Sequence, residues 1–417
     1  MRFAHFADIH LGYGRSDALA DLERRVFTDS ISRCISDDVD FVLMCGDIFH
    51  TNIPEMRVQK MAMEQLRRLH DAGIPVYAVY GSHDFSPIDN SVIDLVVSAG
   101  YMIKPPLTSL ESGDISLGFV KDSKTGVRIA GIGGLKTGRD RDYYDALARE
   151  PSESEQGLCI FLFHCGITEM INTIGDEGMP LSLLPGGFDY YAGGHLHKYQ
   201  DRHFPGYANV VYPGALFAGH PSDMENSANG ERRGFVMVEF DHDIIKSVDF
   251  IEMTACGYRL IDVDANTKSS EYVRNEITTE MSKIPVNNKV VILKVYGELA
   301  RGRTTDVDTG MIRRQLLDDG AIDVVMHMRD FTSKEYAIRG DSMGTVQEIE
   351  TNTFKDNIKQ VNLKRNNLTG EQGVRLAQSI LSATRKARLA NEKSNDYNGR
   401  ITSEVLSHMD ISDGGVS

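Results

Sequence analysis

Short apolar runs alternate with helix-like stretches over the first 240 or so residues of the chain. The apolar runs show no alternation of polar and apolar positions, which is the pattern of strands that are buried on both faces. The helix-like stretches include 21–35 and 56–70, and the second ends at a glycine before a new strand. The pattern predicts a layered α/β fold. Its strands are expected at Arg2–Phe6, Phe41–Cys45, Val76–Tyr80, Ile160–Phe163, Tyr190–Ala192 and Val210–Tyr212.

The pattern changes near residue 256. Three strand-like and two helix-like stretches follow in alternation, which predicts a small β-α-β-α-β module with no strand beyond residue 330. Residues 342–393 are helix-like around an Asn-rich turn at Asn366–Asn367, and the polar end of the chain is typical of disorder. We therefore predict an α/β domain at 1–250, a small α+β domain at 251–335, a helical region at 336–395 and a disordered tail at 396–417.

Composition narrows the class of protein. Of the 417 residues, 41% are hydrophobic and 25% charged, as in globular proteins. No apolar run approaches the ~18 residues of a membrane helix, no signal-peptide pattern opens the chain, and the five cysteines form no CxxC pair. We expect reduced thiols and a cytoplasmic, nucleoid-associated protein without a membrane partner. The net charge of −15 argues against nucleic-acid binding by bulk electrostatics, although residues 355–393 hold nine Lys and Arg against three Asp and Glu.

Histidine and aspartate side chains recur where the predicted strands end. Because the carboxyl ends of parallel strands meet at one edge of a sheet, where α/β folds bind ligands, these side chains should converge. Histidine and carboxylate ligands without thiolates suit Mn, Fe or Zn. The set is too large for one tetrahedral ion, whereas two ions about 3.5–4 Å apart, bridged by a central Asp47, would use it. Its members are Asp8, His10, Asp47, His50, His83, Asp84, His164, His195 and His197.

The other histidines lie outside these strand ends. Isolated histidines are more often structural than functional, so a structural role is predicted for His5, His70, His203, His220, His242, His327 and His408.

The order of these motifs resembles that of calcineurin-like metallophosphoesterases, in which DxH, GDxxH, an Asn-His-Asp element, a lone histidine and GHxH follow one another. Here they read FADIHLG, GDIFH, GSHD, FHCG and GHLH. Together with VVYPGAL after the last motif, the small second domain and the helical tail, they resemble more narrowly the nuclease subunit of the double-strand-break repair complex, the meiotic-recombination-eleven / SbcD family of archaeal type. The resemblance implies a metallophosphoesterase sandwich, a capping domain and a tail that binds a coiled-coil ABC-type (SMC-like) ATPase.

The resemblance also implies residue roles. One metal would be held by Asp8, His10, Asp47 and His197, and the other by Asp47, residue 82, His164 and His195. His83 would stabilise the transition state and His50 would place the DNA end. The family has Asn where this chain has Ser82, so the second site could be weak, or a water could fill the gap. Two Mn ions are expected, with Mg, Fe and Zn left open.

The implied activity is a Mn-dependent 3′→5′ exonuclease on duplex DNA and an endonuclease on single strands and hairpins. The implied assembly is a homodimer through the helix faces at 61–69 and 92–96, which could instead belong to the core. Capping-domain contacts with DNA are expected from Arg301, Arg303, Arg313 and Arg314. In the tail, a stripe with helical spacing is expected to dock in the ATPase or to pack on its own domain; it consists of Leu376, Ile380, Ala383 and Ala387.

Two other functions fit the same residues. A protein phosphatase or cyclic-nucleotide phosphodiesterase of this fold would use the same ligands, but would not need the basic tail or the capping module. A scaffold that tethers DNA ends, with catalysis weakened at Ser82, would keep the fold and lose the activity.

Overall fold

The computed structural model describes residues 1–85, 91–110, 114–134, 140–147, 157–171, 178–333, 346–360, 368–389 and 394–409. The chain divides into two compact units, Met1–Thr332 and Ser333–Ser417. The larger unit contains two stacked sheets followed by a third, smaller sheet.

The first sheet carries the amino-terminal strand near its centre. Its three parallel strands are β1 (Arg2–Phe6), β2 (Phe41–Cys45) and β3 (Val76–Val79), and an antiparallel hairpin of β12 (Gly234–Asp241) and β13 (Ile244–Glu252) completes it next to β1. The predicted boundary at residue 250 falls inside β13.

The second sheet has the order β10-β11-β9-β8-β7-β6, with β7, β8, β9 and β11 parallel. Its strands are β6 (Val120–Lys121), β7 (Arg128–Ile132), β8 (Cys159–His164), β9 (Tyr190–Gly194), β10 (Gln200–Phe204) and β11 (Tyr207–Tyr212). A separate two-stranded ribbon is formed by β4 (Leu107–Ser109) and β5 (Ile115–Leu117).

Helices cover the outer face of the first sheet. They include α1 (Asp17–Ser36), α2 (Met56–Asp71) and α3 (Val92–Ser98); α4 (Asp140–Asp145) and α5 (Pro221–Ala228) complete the helices of this domain within the described residues. Alternate residues of β1 serve different layers: Phe3 packs between the two sheets, whereas Ala4 and Phe6 pack on the helical side. Both faces of the strand are therefore apolar, which explains the missing polar alternation.

The helix faces proposed for dimerisation are largely used inside the domain. The buried core on this side of the sheet contains Leu66 and Leu69 of α2 and Val92, Ile93 and Val96 of α3. The large apolar side chains left exposed nearby are Ile53, Met56 and Leu95. The core alternative therefore holds for most of these positions.

The third sheet confirms the β-α-β-α-β module. Its parallel strands are β14 (Gly257–Asp264), β15 (Lys289–Leu299) and β16 (Asp323–His327), with α6 (Ser270–Lys283) and α7 (Thr309–Asp318) between them. A further strand, β17 (Phe331–Ser333), pairs with β15, so the prediction that strands stop at residue 330 is wrong by one short element.

The second unit contains the helices α8 (Val346–Gln360), α9 (Gly370–Thr384) and α10 (Ser394–His408). Helix α9 contacts both of its neighbours. Residues 394–408 are helical, so the disorder expected from residue 396 onward does not apply to them. The Asn366–Asn367 turn lies outside the described residues. Among the described residues, no helix has both the length and the apolar character required to span a bilayer.

Candidate metal centre

The predicted histidines and aspartates follow the carboxyl ends of β1, β2, β3, β8 and β9. Four of these residues adopt a positive φ: Asp8 (48°), His10 (48°), Asp47 (49°) and His195 (97°). Backbone of this kind costs about 1–3 kcal/mol per residue outside glycine, and it persists where surrounding structure holds it, often at functional sites. The strand ends are therefore shaped to present these side chains.

Two groups of ligand atoms that include Asp8 lie close together at this edge, beside a third group formed by His10, His50 and His83. Asp8, His10 and His197 form the first group, and Asp8, Asp47 and His164 form the second; the ligand atoms within each group lie within 4.8 Å of one another. Oδ2 of Asp47 is 3.6 Å from Nε2 of His10 and 3.3 Å from Nε2 of His164. Asp47 thus faces histidines of both groups. We call the first group the outer ligand group and the second the inner ligand group.

Main-chain atoms fix the inner ligand group. Nδ1 of His164 is 2.8 Å from the carbonyl oxygen of Cys45, so Nδ1 carries the proton and Nε2 is directed at Asp47. Asp47 accepts the main-chain N–H of His83 at 2.8 Å. Asp8 accepts the N–H of His195 at 2.9 Å. Because these partners belong to strand ends, the sheet itself sets the ligand positions.

Glycines make this close packing possible. A Cβ at Gly194 would lie 1.9 Å from the carbonyl oxygen of Cys45 and 2.7 Å from Nδ1 of His164. A Cβ at Gly81 would lie 2.1 Å from both the nitrogen and Oδ1 of Asp47. Only residues without a side chain fit at these two positions.

Burial and mutual charge shift the protonation of these groups. Burial alone would lower the pKa of His164, but the Asp47 carboxylate raises it to about 10. Burial alone would raise the pKa of Asp47, and the charges of His164 and His10 instead hold it well below its usual value. Burial lowers the pKa of His10 to about 3 and raises the pKa of Asp8. The metal-free centre therefore holds an ionised Asp47 beside a protonated His164 and a neutral His10 in a buried place.

These residues fit divalent metal ions. Nε2 of His164 is buried and has no hydrogen-bond partner among the described residues, although a carboxylate oxygen lies beside it. An imidazole nitrogen grouped with carboxylate oxygens, and without another partner, is the donor set of a metal site. The outer ligand group would hold one ion and the inner ligand group another.

A pocket of about 160 Å³ opens above the two groups. His50 and His83 line it, and their rings stack 5.1 Å apart. Nδ1 of His83 bonds the carbonyl oxygen of His50 at 2.7 Å, which leaves Nε2 of His83 as its remaining ring nitrogen. Tyr13 packs edge-on against His50 at 4.2 Å. Burial lowers the pKa of His50 to about 4.

The two remaining predicted ligands also line this pocket. Ser82 lies between Gly81 and His83, half-buried. The ring of His195 lies 5.4 Å from that of His164. Seven of the nine predicted ligand and catalytic residues thus line one cavity, and the other two, Asp8 and His164, belong to the ligand groups without being part of this lining.

The sequence did not predict the residues that surround His197 and the adjoining wall of the pocket. Buried Asp223 of α5 bonds Nδ1 of His197 at 2.9 Å, and Arg233 lies against that carboxylate at 3.5 Å. His220, expected to be structural, lines the pocket. The proline at the first position of α5 and Asp223 in its first turn could mark a helix start, but no local signal names the histidine that Asp223 meets.

Asp84 accepts hydrogen bonds from the two loops that hold neighbouring residues of the centre. Its buried carboxylate accepts the main-chain N–H groups of Ile48 and Phe49 at 3.1 and 2.9 Å and that of Gly81 at 2.9 Å. Burial and the nearby Asp47 charge raise its pKa to about 7. Asp84 therefore joins the loops that follow β2 and β3.

The arginines predicted to meet DNA lie away from the pocket lining. Arg303 bonds Asp306 at 3.1 Å, and Arg313 bonds Asp323 at 2.9 Å. Arg301 and Arg314 are exposed. Two of the four guanidinium groups are thus engaged with carboxylates of the same domain.

The predicted docking stripe is shorter than expected. Leu376 and Ile380 are half-buried and Ala383 is buried on α9, whereas Ala387 lies beyond the end of the helix and is exposed. Gln378 of the same helix bonds Thr351 of α8 at 2.7 Å. Part of α9 therefore packs on its own unit, the alternative raised above, and Ala387 does not continue the stripe.

Comparison with known proteins identifies the domain. Residues 1–199 match the family model described as calcineurin-like phosphoesterase. Three archaeal relatives named DNA double-strand break repair protein Mre11 are similar to this chain. The one from Sulfolobus acidocaldarius is 24% identical (85% of this chain, 88% of the relative), that from Archaeoglobus fulgidus 28% (57% and 57%), and that from Methanocaldococcus jannaschii 27% (78% and 85%). The amino-terminal half of the chain has the calcineurin-like phosphoesterase fold and is a metal-dependent phosphoesterase.

Proposed function

We propose that this phosphoesterase domain is a Mn-dependent DNA nuclease that processes double-strand breaks. The observation that carries the proposal is the pair of ligand groups sharing Asp8 beneath one pocket, with His50 and His83 on its wall. The narrower motif resemblance and the names of the archaeal relatives support DNA ends as the substrate. The proposed activities are 3′→5′ removal of nucleotides from duplex ends and cleavage of single strands and hairpins.

We assign one ion to each ligand group, together with the further ligands that the motif resemblance implies. Asp8, His10, Asp47 and His197 would hold one ion, and Asp47, Ser82, His164 and His195 the other. Divalent ions bound there would act as Lewis acids on a phosphodiester oxygen. Imidazole and carboxylate ligands suit Mn, while Fe, Zn and Mg use overlapping donor sets.

His83 is assigned the proton transfer. Its Nδ1 is committed to the His50 carbonyl oxygen, so the ring is oriented and Nε2 is available to hold a proton for the leaving oxygen. The His50 ring, braced by Tyr13, would position the scissile phosphate. Positioning of this kind matters because misplacing a reacting group by about 1 Å can cost 100-fold in rate.

The assembly proposals rest on the exposed surfaces. We propose that the second unit binds a coiled-coil ABC-type ATPase through α9, using Leu376 and Ile380, which remain partly accessible. Homodimerisation would use the exposed apolar side chains Ile53, Met56 and Leu95. Truncation before Gly370 should abolish ATPase binding and preserve metal-dependent hydrolysis.

Digestion of end-labelled linear duplex DNA in Mn tests the nuclease directly. The wild-type chain should release nucleotides, a chelator should abolish the release, and His83→Ala should lower the rate by about 100- to 10,000-fold while Mn binding persists. Release that survives the chelator, or that is unchanged in His83→Ala, would refute the mechanism.

Two alternatives give distinct results in the same assay. Hydrolysis of a small phosphomonoester or cyclic nucleotide with no release from DNA would identify a phosphatase or cyclic-nucleotide phosphodiesterase. DNA-end binding without any hydrolysis, restored by Ser82→Asn, would identify a tethering scaffold whose catalysis is weakened at Ser82.

A further inference from the structure

One short helix, α5, touches both the outer ligand group and the capping domain. We infer that Asp223 of α5 is a positioning residue for the ligand His197, and that through Glu225 the same helix couples the capping domain to metal affinity in the outer ligand group. The inference rests on the proposed metal-dependent function, because it concerns the regulation of that same centre.

The ring of His197 is oriented by a side chain from another element. Its side chain is one-third exposed, so packing alone does not fix the ring. Nδ1 bonds Oδ2 of Asp223 at 2.9 Å, which orients the ring and leaves Nε2 3.3 Å from Nε2 of His10 and 3.8 Å from Oδ1 of Asp8. A carboxylate that orients a ligating histidine in this way strengthens metal binding.

Arg233 holds both Asp223 and His197 in position. The guanidinium is buried, and its Nη2 donates to the carbonyl oxygen of Asp223 at 3.1 Å. Its Nη1 donates to the carbonyl oxygen of His197 itself. A further ion pair with Glu231 at 2.7 Å compensates the remaining charge. The histidine and its carboxylate are therefore held by one guanidinium, and neither can move without the other.

The opposite side of α5 meets the capping domain. Positions 223 and 225 lie about 200° apart around a helix. Oε2 of Glu225 bonds Nζ of Lys294 on β15 at 2.9 Å, and its Oε1 contacts Nδ1 of His327 at the end of β16. The Glu225 side chain is only 12% exposed. A shift of β15 and β16 would therefore displace α5, and with it Asp223, which orients His197.

We therefore expect the position of the capping domain to determine the orientation of His197. When the capping domain sits as in this structure, Asp223 holds Nε2 of His197 toward Asp8 and His10. When the domain moves, Glu225 draws α5 with it, and the outer ligand group loses the orientation of one ligand. The inner ligand group, fixed by main-chain atoms, is left unchanged.

Counting bound Mn by electron paramagnetic resonance tests the link without measuring hydrolysis. The wild-type chain should bind two ions. Asp223→Asn should weaken one ion by about 10- to 100-fold and leave the other as in the wild type. Glu225→Gln should weaken the same ion by up to about fivefold. The matched control is Glu276→Gln, which makes the same chemical change and breaks a Lys268 pair of 2.7 Å within the capping domain, away from α5, and it should change neither ion.

The outcomes separate the claims. Unchanged Mn binding in Asp223→Asn overturns the positioning role, and unchanged binding in Glu225→Gln overturns the coupling. Equal weakening of both ions, with a lower melting temperature of the metal-free chain, would indicate general structural damage and overturn the inference. If the wild-type chain binds no Mn, both the proposed function and this inference fail.

Discussion

The outer and inner ligand groups reach similar ligand sets by different means. The inner group is buried, and its histidine and aspartate are held by main-chain atoms at neighbouring strand ends. The outer group is partly open to the pocket, and its His197 depends on a side chain from α5. The sheet therefore positions the ligands of the inner group by itself. The outer group also needs α5, a helix that contacts β15 and β16 through Glu225.

The largest expected effect is the loss of the inner group through Gly194→Ala. The added Cβ would meet the Cys45 carbonyl oxygen at 1.9 Å, and backbone atoms cannot move aside. We expect destabilisation of about 3 kcal/mol or more in urea unfolding. Gly186→Ala is the matched control, because no atom lies within 4 Å of its Cβ position and its φ is ordinary. It should stay within about 0.5 kcal/mol of the wild type, and equal stability of the two variants would contradict the packing described.

Replacing one histidine in each ligand group should lower the free energy of unfolding of the metal-free chain by different amounts. His164→Asn removes one partner of a buried charge pair and should cost about 3–5 kcal/mol. His197→Asn should cost about 1 kcal/mol or less, because the ring is partly exposed and Asp223 keeps Arg233. Urea unfolding in the presence of a chelator measures both. Similar losses in the two variants would remove the distinction between the groups.

Proton release should accompany metal binding in both groups. The pKa of His164 is raised to about 10 by Asp47 and that of His197 to about 9 by Asp223, both against the effect of burial, so both rings are protonated at pH 7. An ion must displace these protons, so Mn affinity should rise as the pH increases from 7 to 9. Calorimetry in buffers of different ionisation enthalpy should show about two protons released at pH 7. Binding that is independent of buffer and pH would contradict these protonation states.

The smallest effect is expected at Ser82. Ser82→Asn should tighten the ion of the inner group by about tenfold or less, because the longer amide reaches further into the pocket. A Mn titration followed by calorimetry gives the two affinities separately. If the variant binds both ions as the wild type does, Ser82 is not a determinant of the second site.

The sequence predicted best what strand ends determine. The bounds of β1 and β2 are those expected. Five of the seven predicted metal ligands line the pocket and the other two, Asp8 and His164, group with Asp47, because the parallel register brings consecutive strand ends to one edge. Asp223 could not be predicted, since its partner arises only when α5 packs beside the loop after β9. The pairing of Arg313 with Asp323 could not be predicted for the same reason, because Asp323 lies on another element. The helical character of α10 was hidden by its polar sequence, and it packs against α9.

Anomalous diffraction at the Mn absorption edge, from crystals grown with Mn, tests the central claim most directly. We predict two peaks in the pocket, one beside Asp8, His10 and His197 and one beside Asp47 and His164. Asp47→Asn, which alters the carboxylate assigned to both ions, should weaken both peaks. A single peak in the wild-type protein, or ions bound elsewhere, would contradict the two-metal centre and the nuclease mechanism built on it.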